Sequence, residues 1–198
     1  MPMNTLWSSS FEKNQEYLMS SPVFPLPLFL LTGGMQRLRI FEQKYLSMVA
    51  NATRTGGFVI SLYKKESSFS SSEWGVHVNI IDFSNGEDGI LTIDVLAENL
   101  VSLSDFYHDA KGLLCANAKP LPHWSSSLEL TDQSEVLAHT LALFLKQVFR
   151  DNAELNQLYK HQHFEDAHWV SSRLLEVMPI PLSEQENFIH HLALHQLN

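Results

Sequence analysis

The hydrophobic pattern changes period part-way along the chain. Apolar residues fall on alternate positions at Trp74, Val76, Val78 and Ile80, and again at Leu91, Ile93 and Val95. That is the repeat of half-buried strands. From Ser134 to Phe149 the spacing becomes three and four, with Leu137, Leu141, Phe144, Leu145 and Val148 on one stripe, the repeat of an amphipathic helix. Strand patterns followed by helix patterns describe an α+β chain with an antiparallel, barrel-like sheet, not the βαβ alternation of a parallel one.

The boundaries follow from the punctuation. Residues 1–21 are polar and Ser-rich and are expected to form an N-terminal tail. Residues 22–125 are the β-rich part and 126–198 the helical part. Pro22, Pro25 and Pro27 hold the stretch VFPLPLF extended, and a proline-bearing strand is expected at a sheet edge or strand start. One early helix interrupts the strands: Phe41, Tyr45, Met48, Val49 and Ala52 share a helical face, and Gly56-Gly57 supplies its stop. FVISLYK reads as a buried strand, KKESSFSSSE as a hairpin loop or lid-like insertion, and LVSLSDFY and GLLCANAKPL as two further strands. In the last third, Phe164 to Met178 forms a second helix, ended by Pro179 and Pro181. Ser183 and Glu186 are spaced as a capping box for a third.

Charge removes some functions. The 198 residues carry 13 Lys and Arg against 22 Asp and Glu, a formal net charge of -9, which disfavours contact with nucleic-acid phosphates. The N-terminus has no basic start followed by an apolar run, so it does not read as a signal peptide. The apolar stretch from Val23 to Leu31 is too short for a membrane span. A cytoplasmic setting without membrane contact is the expectation.

No catalytic motif is complete. The phosphate-cradling GxxxxGK[ST] loop, the G-x-S-x-G elbow and HExxH are all missing. Cys115 sits in the apolar stretch GLLCANA and reads as a buried structural thiol. Glu165 and His168 make one E-x-x-H, where a di-iron bundle needs two with further glutamates. His191 and His195 share a helix face close to the C-terminus, and the ten histidines read together as surface residues. Glu42, placed where a strand passes into a helix, is expected to cap free backbone N–H groups. The expectation is no catalytic residues, no metal and no cofactor.

Two blocks carry a family resemblance. The first runs from Phe24 to Val49 and contains Pro25-Leu26-Pro27, Gly33-Gly34-Met35, Ile40-Phe41-Glu42, Lys44-Tyr45 and Met48-Val49, with Gly57-Phe58-Val59-Ile60 after it. The second is WVSSRLLEVMPIPLSEQENFI, with Trp169, Arg173-Leu174-Leu175, Pro179, Pro181-Leu182 and Gln185. In this order they resemble the N-terminal, substrate-binding domain family of Lon protease, and most closely the small bacterial proteins that carry this domain alone. The chain departs from the family pattern at DVLAENLVSL, where a G…RF turn is usual, and at Glu73-Trp74-Gly75.

The resemblance implies a PUA-like β-barrel followed by a C-terminal helical bundle, together one Lon N-terminal-like domain. Pro25, Pro27, Gly34, Met35, Ile40, Phe41, Glu42, Tyr45, Val49, Trp169, Arg173 and Pro181 are its structural signature. It also implies recruitment of protein substrates, with the ATPase and Ser-Lys protease parts downstream of such a domain in full-length relatives. The expected function is therefore non-catalytic protein recognition, with unfolded or client proteins and proteolysis machinery as partners. Met35, Phe69, Trp74 and Trp124 are candidates for the contact surface, since flexible and aromatic side chains make adaptable contacts. Two alternatives stand beside it: a hydrolase with dispersed catalytic groups, and an RNA-binding PUA-like protein. A homodimer through the helices or the proline-bearing edge is a further expectation.

Overall fold

The structure, a computed structural model, describes residues 19–86, 88–121 and 132–189. Its elements follow in the order β1 (Met19–Leu26), β2 (Met35–Ile40), α1 (Gln43–Thr55), β3 (Phe58–Tyr63), β4 (Ser71–Asn85), β5 (Leu91–His108), β6 (Leu114–Pro120), α2 (Asp132–Asp151), α3 (Ala153–Leu158), α4 (Ala167–Val177) and α5 (Leu182–Ile189). This is a mixed α+β architecture. The six strands pair in the order β2-β5-β4-β3-β1-β6, and β6 pairs back onto β5, so the pairings through β5, β4, β3, β1 and β6 form a ring.

β5 makes that ring. LTIDVLA and LVSLSDFY, expected as separate strands, are one strand of 18 residues. Its first third, Leu91–Leu96, pairs with β2 and its last part, Val101–His108, with β6, while β4 pairs along Leu91–Ser102. Register shifts at His77/Val78, Ile80/Asp82 and Ser104/Tyr107 bend the ladder. At the last of these Asp105 has φ 51 and accepts from Asn117 Nδ2 at 2.9 Å.

β1 is divided between two neighbours. Met19–Pro22 pair antiparallel with β6, and Val23–Leu26 pair parallel with β3. The expectation of a proline-bearing edge strand is corrected accordingly: β1 lies inside the sheet order, yet among the described residues each half has a strand on one flank only. Pro22 and Pro25 can therefore sit in it without orphaning a ladder acceptor on both sides. β1 also begins inside the stretch expected as a tail.

The Ser-rich segment is a pinned connection between β3 and β4 rather than a lid. Lys64 N–H donates to the Ser70 carbonyl, Ser67 Oγ accepts from Ser71 N–H at 2.8 Å, and the Phe69 ring stacks on Phe106 with centroids 5.4 Å apart. Helix boundaries shift too. α1 begins after Glu42, which leaves Phe41 outside the helix and 72% exposed. Ser183 lies within α5, and Glu186 does not close a capping box: its carboxylate accepts from Trp74 Nε1 at 2.7 Å and pairs with Lys64 Nζ at 2.8 Å.

The core has three parts. One lies between the sheet and α1, built on Phe58, Ile60, Val78, Ile93 and Val95, and reaches Ile189 of α5. A second gathers Val23, Val59, Val101, Leu103 and Ala116. The third belongs to the helices and centres on Phe149, whose ring meets Tyr159, Phe164 and Trp169 at 5.2, 5.7 and 5.9 Å. The expected α2 stripe is wider than the core it faces: Leu145 is buried, while Leu137 and Phe144 are exposed. No helix among the described residues is long and apolar enough to cross a membrane.

Candidate functional site

The connection from β1 to β2 crosses the boundary between sheet and helices. Pro27, which has no N–H to donate, follows the last residue of β1. Phe29, Leu30 and Leu31 are buried, and the chain turns at Gly33-Gly34 before β2. Gly33 has φ +77, a region open to glycine at little cost. Gly34 is required for space: a Cβ there would lie 2.5 Å from Glu176 Oε1 and 2.8 Å from the Leu31 carbonyl oxygen.

Helix α4 holds this turn. Asp166 caps the helix by accepting from His168 and Trp169 N–H, which orients Trp169, Arg173 and Glu176 on successive turns. Arg173 is fully buried. Its Nε and Nη2 donate to the two carboxylate oxygens of Glu176 at 2.7 and 2.8 Å, and Nη2 also reaches the carbonyls of Leu31 and Thr32 at 3.2 and 3.1 Å. Glu176 in turn accepts from Leu31 N–H at 2.7 Å. The pair thus neutralises itself and satisfies three backbone groups of the turn. Burial pushes the Glu176 carboxyl up, and Arg173 pulls it back. Tyr159 completes the clasp by accepting from Met35 N–H at 2.7 Å; burial holds its phenol well above its ordinary value, so it stays neutral.

Beside the clasp opens a cleft of about 350 Å³. Leu28, Met35 and Gln36 line it from the strand side and Leu155, Val177 and Met178 from the helix side, with Arg173 and Glu176 against it. Met178 is 42% exposed. Such a lining can take up apolar side chains by contact area and fix a backbone through amide and phenol groups. The two sequence blocks, about 140 residues apart, meet here.

The model of the ATP-dependent protease La (LON) substrate-binding domain matches residues 20–190. The chain belongs to that family. Among solved structures, the Lon N-terminal domain protein from Xanthomonas campestris is similar at 26% identity, covering 86% of this chain and 89% of that one with a TM-score of 0.66. The N-terminal domain of Mycobacterium avium complex Lon protease shares the fold, at 15% identity over 86% of this chain and 96% of that one, with a TM-score of 0.54. No curated protein matches the chain. The LON substrate-binding domain is a non-catalytic domain family.

In this LON domain the signature residues divide by location. Pro27, Gly34, Met35, Trp169 and Arg173 meet at the clasp or cleft. Ile40 and Val49 are buried in the sheet core, where Tyr45 stacks on Phe24 with centroids 3.9 Å apart. Pro25 pairs with Ser61 in the ladder, and the Pro181 carbonyl accepts from Glu184 and Gln185 N–H at the start of α5. Glu42 occupies the N-cap of α1, but its side chain makes no capping bond; it pairs with Lys44 at 3.5 Å instead.

Of the contact candidates, Met35 lines the cleft and Phe69 is 37% exposed on the far hairpin. Trp74 is corrected: it is 4% exposed and bonded to Glu186, so it offers no outer surface. Trp124, His191 and His195 lie outside the described residues. Cys115 is buried, and burial raises its thiol. Among the described residues no three His, Cys, Asp or Glu side chains are grouped to hold a metal. Sequence reasoning missed Tyr159 and Glu176. The signal for Glu176 was its place one turn after Arg173 on a helix whose other residues there are apolar.

Proposed function

We infer that this LON domain is a non-catalytic protein-recognition module that holds segments of unfolded or client proteins at the cleft between β2 and α4. The observation that carries this reading is the cleft itself, of mixed polar and apolar lining, with Met35 and Met178 beside a turn clasped by Arg173 and Glu176. Flexible methionines adapt to varied side chains, while the clasp keeps the site preformed. The same reading treats the ring of strands as a PUA-like barrel, residues 22–125 and 126–198 as its two parts, the cytoplasm as its setting and proteolysis machinery as its downstream partner.

Binding of fluorescently labelled unfolded polypeptides, read by anisotropy, tests it. Met35→Ala and Met178→Ala should each weaken binding by roughly 5- to 30-fold, the equivalent of about 1–2 kcal/mol of lost apolar contact. Unchanged affinity in both variants, or no binding by the wild-type protein at tens of micromolar, would sink the reading.

A further inference from the structure

Among the described residues β2 has one flank that no strand covers, and helix α3 packs against the strand. Among the described residues its only strand partner is β5. Ala97 N–H donates to the Gly34 carbonyl within that pairing, whereas Met35 N–H points away from it to Tyr159 Oη. An antiparallel ladder repeats every second residue. Gln36, Leu38 and Ile40 therefore address β5, and Arg37 and Arg39 turn their N–H and C=O groups outward with Met35. Tyr159 caps the Met35 N–H, and the Arg37 carbonyl accepts from its neighbour, Gln36 Nε2, at 3.1 Å. The outward groups of Arg39 and the Arg37 N–H have no hydrogen-bond partner among the described residues.

Edge strands are commonly protected by charged side chains lying over them. Here both arginines are drawn to carboxylates instead. Arg37 Nε and Nη2 bond Asp94 at 2.7 and 2.8 Å, and Arg39 bonds Asp88. The outer side of β2 is also continuous with the cleft, since Met35 and Gln36 line it. A row of outward amides and carbonyls is complementary to another extended backbone and to little else. The alternating arginines and aspartates beside it favour neither charge sign.

We propose that β2 takes up the client as an added β-strand, its backbone paired with Arg37 and Arg39 and one apolar side chain seated in the adjoining cleft. The proposal rests on the client-binding reading and names its mode: the backbone is recognised whatever the client sequence, and selection falls on the residue entering the cleft. Pairing with Arg37–Arg39 spans about 10 Å, roughly three residues at 3.3 Å each.

The test uses an unfolded peptide that binds the wild-type protein, and two versions of it N-methylated on odd or on even residues. Strand addition requires that one methylated series lose about tenfold in affinity while the other keeps it, since alternate amides face β2. It also requires that Arg39→Pro lose a similar factor while remaining folded, because the Arg39 N–H is not part of the β5 ladder, and that Arg39→Ala bind as wild type. Bound peptide should slow hydrogen exchange at the Arg37 and Arg39 amides. Equal affinity of both methylated series, equal loss in both, or unchanged exchange at these amides overturns strand addition. If those results come with weakened binding by Met35→Ala, the cleft reading survives without it. No binding of any unfolded peptide to the wild-type protein overturns both.

Discussion

Two arginine–carboxylate pairs in this domain have almost identical geometry and different consequences. Arg173 meets Glu176, and Arg37 meets Asp94, each through Nε and Nη2 at 2.7 and 2.8 Å. The first pair has side chains 0% and 9% exposed, the second 50% and 12%. Arg37 can regain water if its partner goes; Arg173 cannot. The buried pair also holds backbone groups of the β1–β2 connection, whereas the exposed pair bridges neighbouring strands that already share a ladder. A bidentate contact is therefore not a fixed quantity of stability. Its weight depends on what would be left without a partner.

The sharpest way to break the comparison is to remove one member of the buried pair. Glu176→Ala should destabilise by about 3–5 kcal/mol in urea unfolding, because it strands the Arg173 guanidinium and the Leu31 N–H. The double variant Arg173→Met/Glu176→Leu refines this. Removing both charges of a buried pair is often neutral, but here the Leu31 and Thr32 backbone groups would stay orphaned, so the double variant should remain about 1–3 kcal/mol below wild type. Full recovery would mean that the clasp acts only as an ion pair.

Gly34→Ala probes the same clasp from the turn side. The added methyl would press on Glu176 and on the Leu31 carbonyl, and a loss of about 1–3 kcal/mol is expected from thermal or urea unfolding. A smaller loss would show that the turn can yield. The weakest effect belongs to the exposed pair: Asp94→Ala should cost no more than about 1 kcal/mol, and the cost should shrink in high salt. A loss matching that of Glu176→Ala would erase the distinction.

Much of this arrangement was legible in the residues, for reasons that separate local from distant effects. The change of hydrophobic period announced strands and then helices, because that pattern is written within a few residues. The cleft was half legible: Met35 and Arg173 stood in recognisable blocks, but nothing local states that residues about 140 positions apart meet. Glu176 was hidden because a charge on a helix normally faces water, and its burial depends on a turn elsewhere in the chain. Trp74 was misplaced against its own alternation, which aligned it with Val76 and Val78, both buried. β5 looked like two strands because Glu98 and Asn99 interrupt its apolar pattern, while the backbone absorbs them through register shifts in the β4 pairing. Prolines in β1 suggested an edge, and only the division between β3 and β6 explains how they fit.

That division has a consequence for synthesis on the ribosome. The second half of β1 can find β3 once Leu62 has emerged, since Val23 pairs with Val59 and Leu26 with Leu62. The first half must wait for Cys115 to Ala118 of β6. During that interval the nascent chain carries an unfinished strand end, the kind of surface that chaperones shield and that neighbouring chains can capture. β1 thus leaves the tunnel ahead of both its partners and is among the last of the described strands to be completed in the sheet.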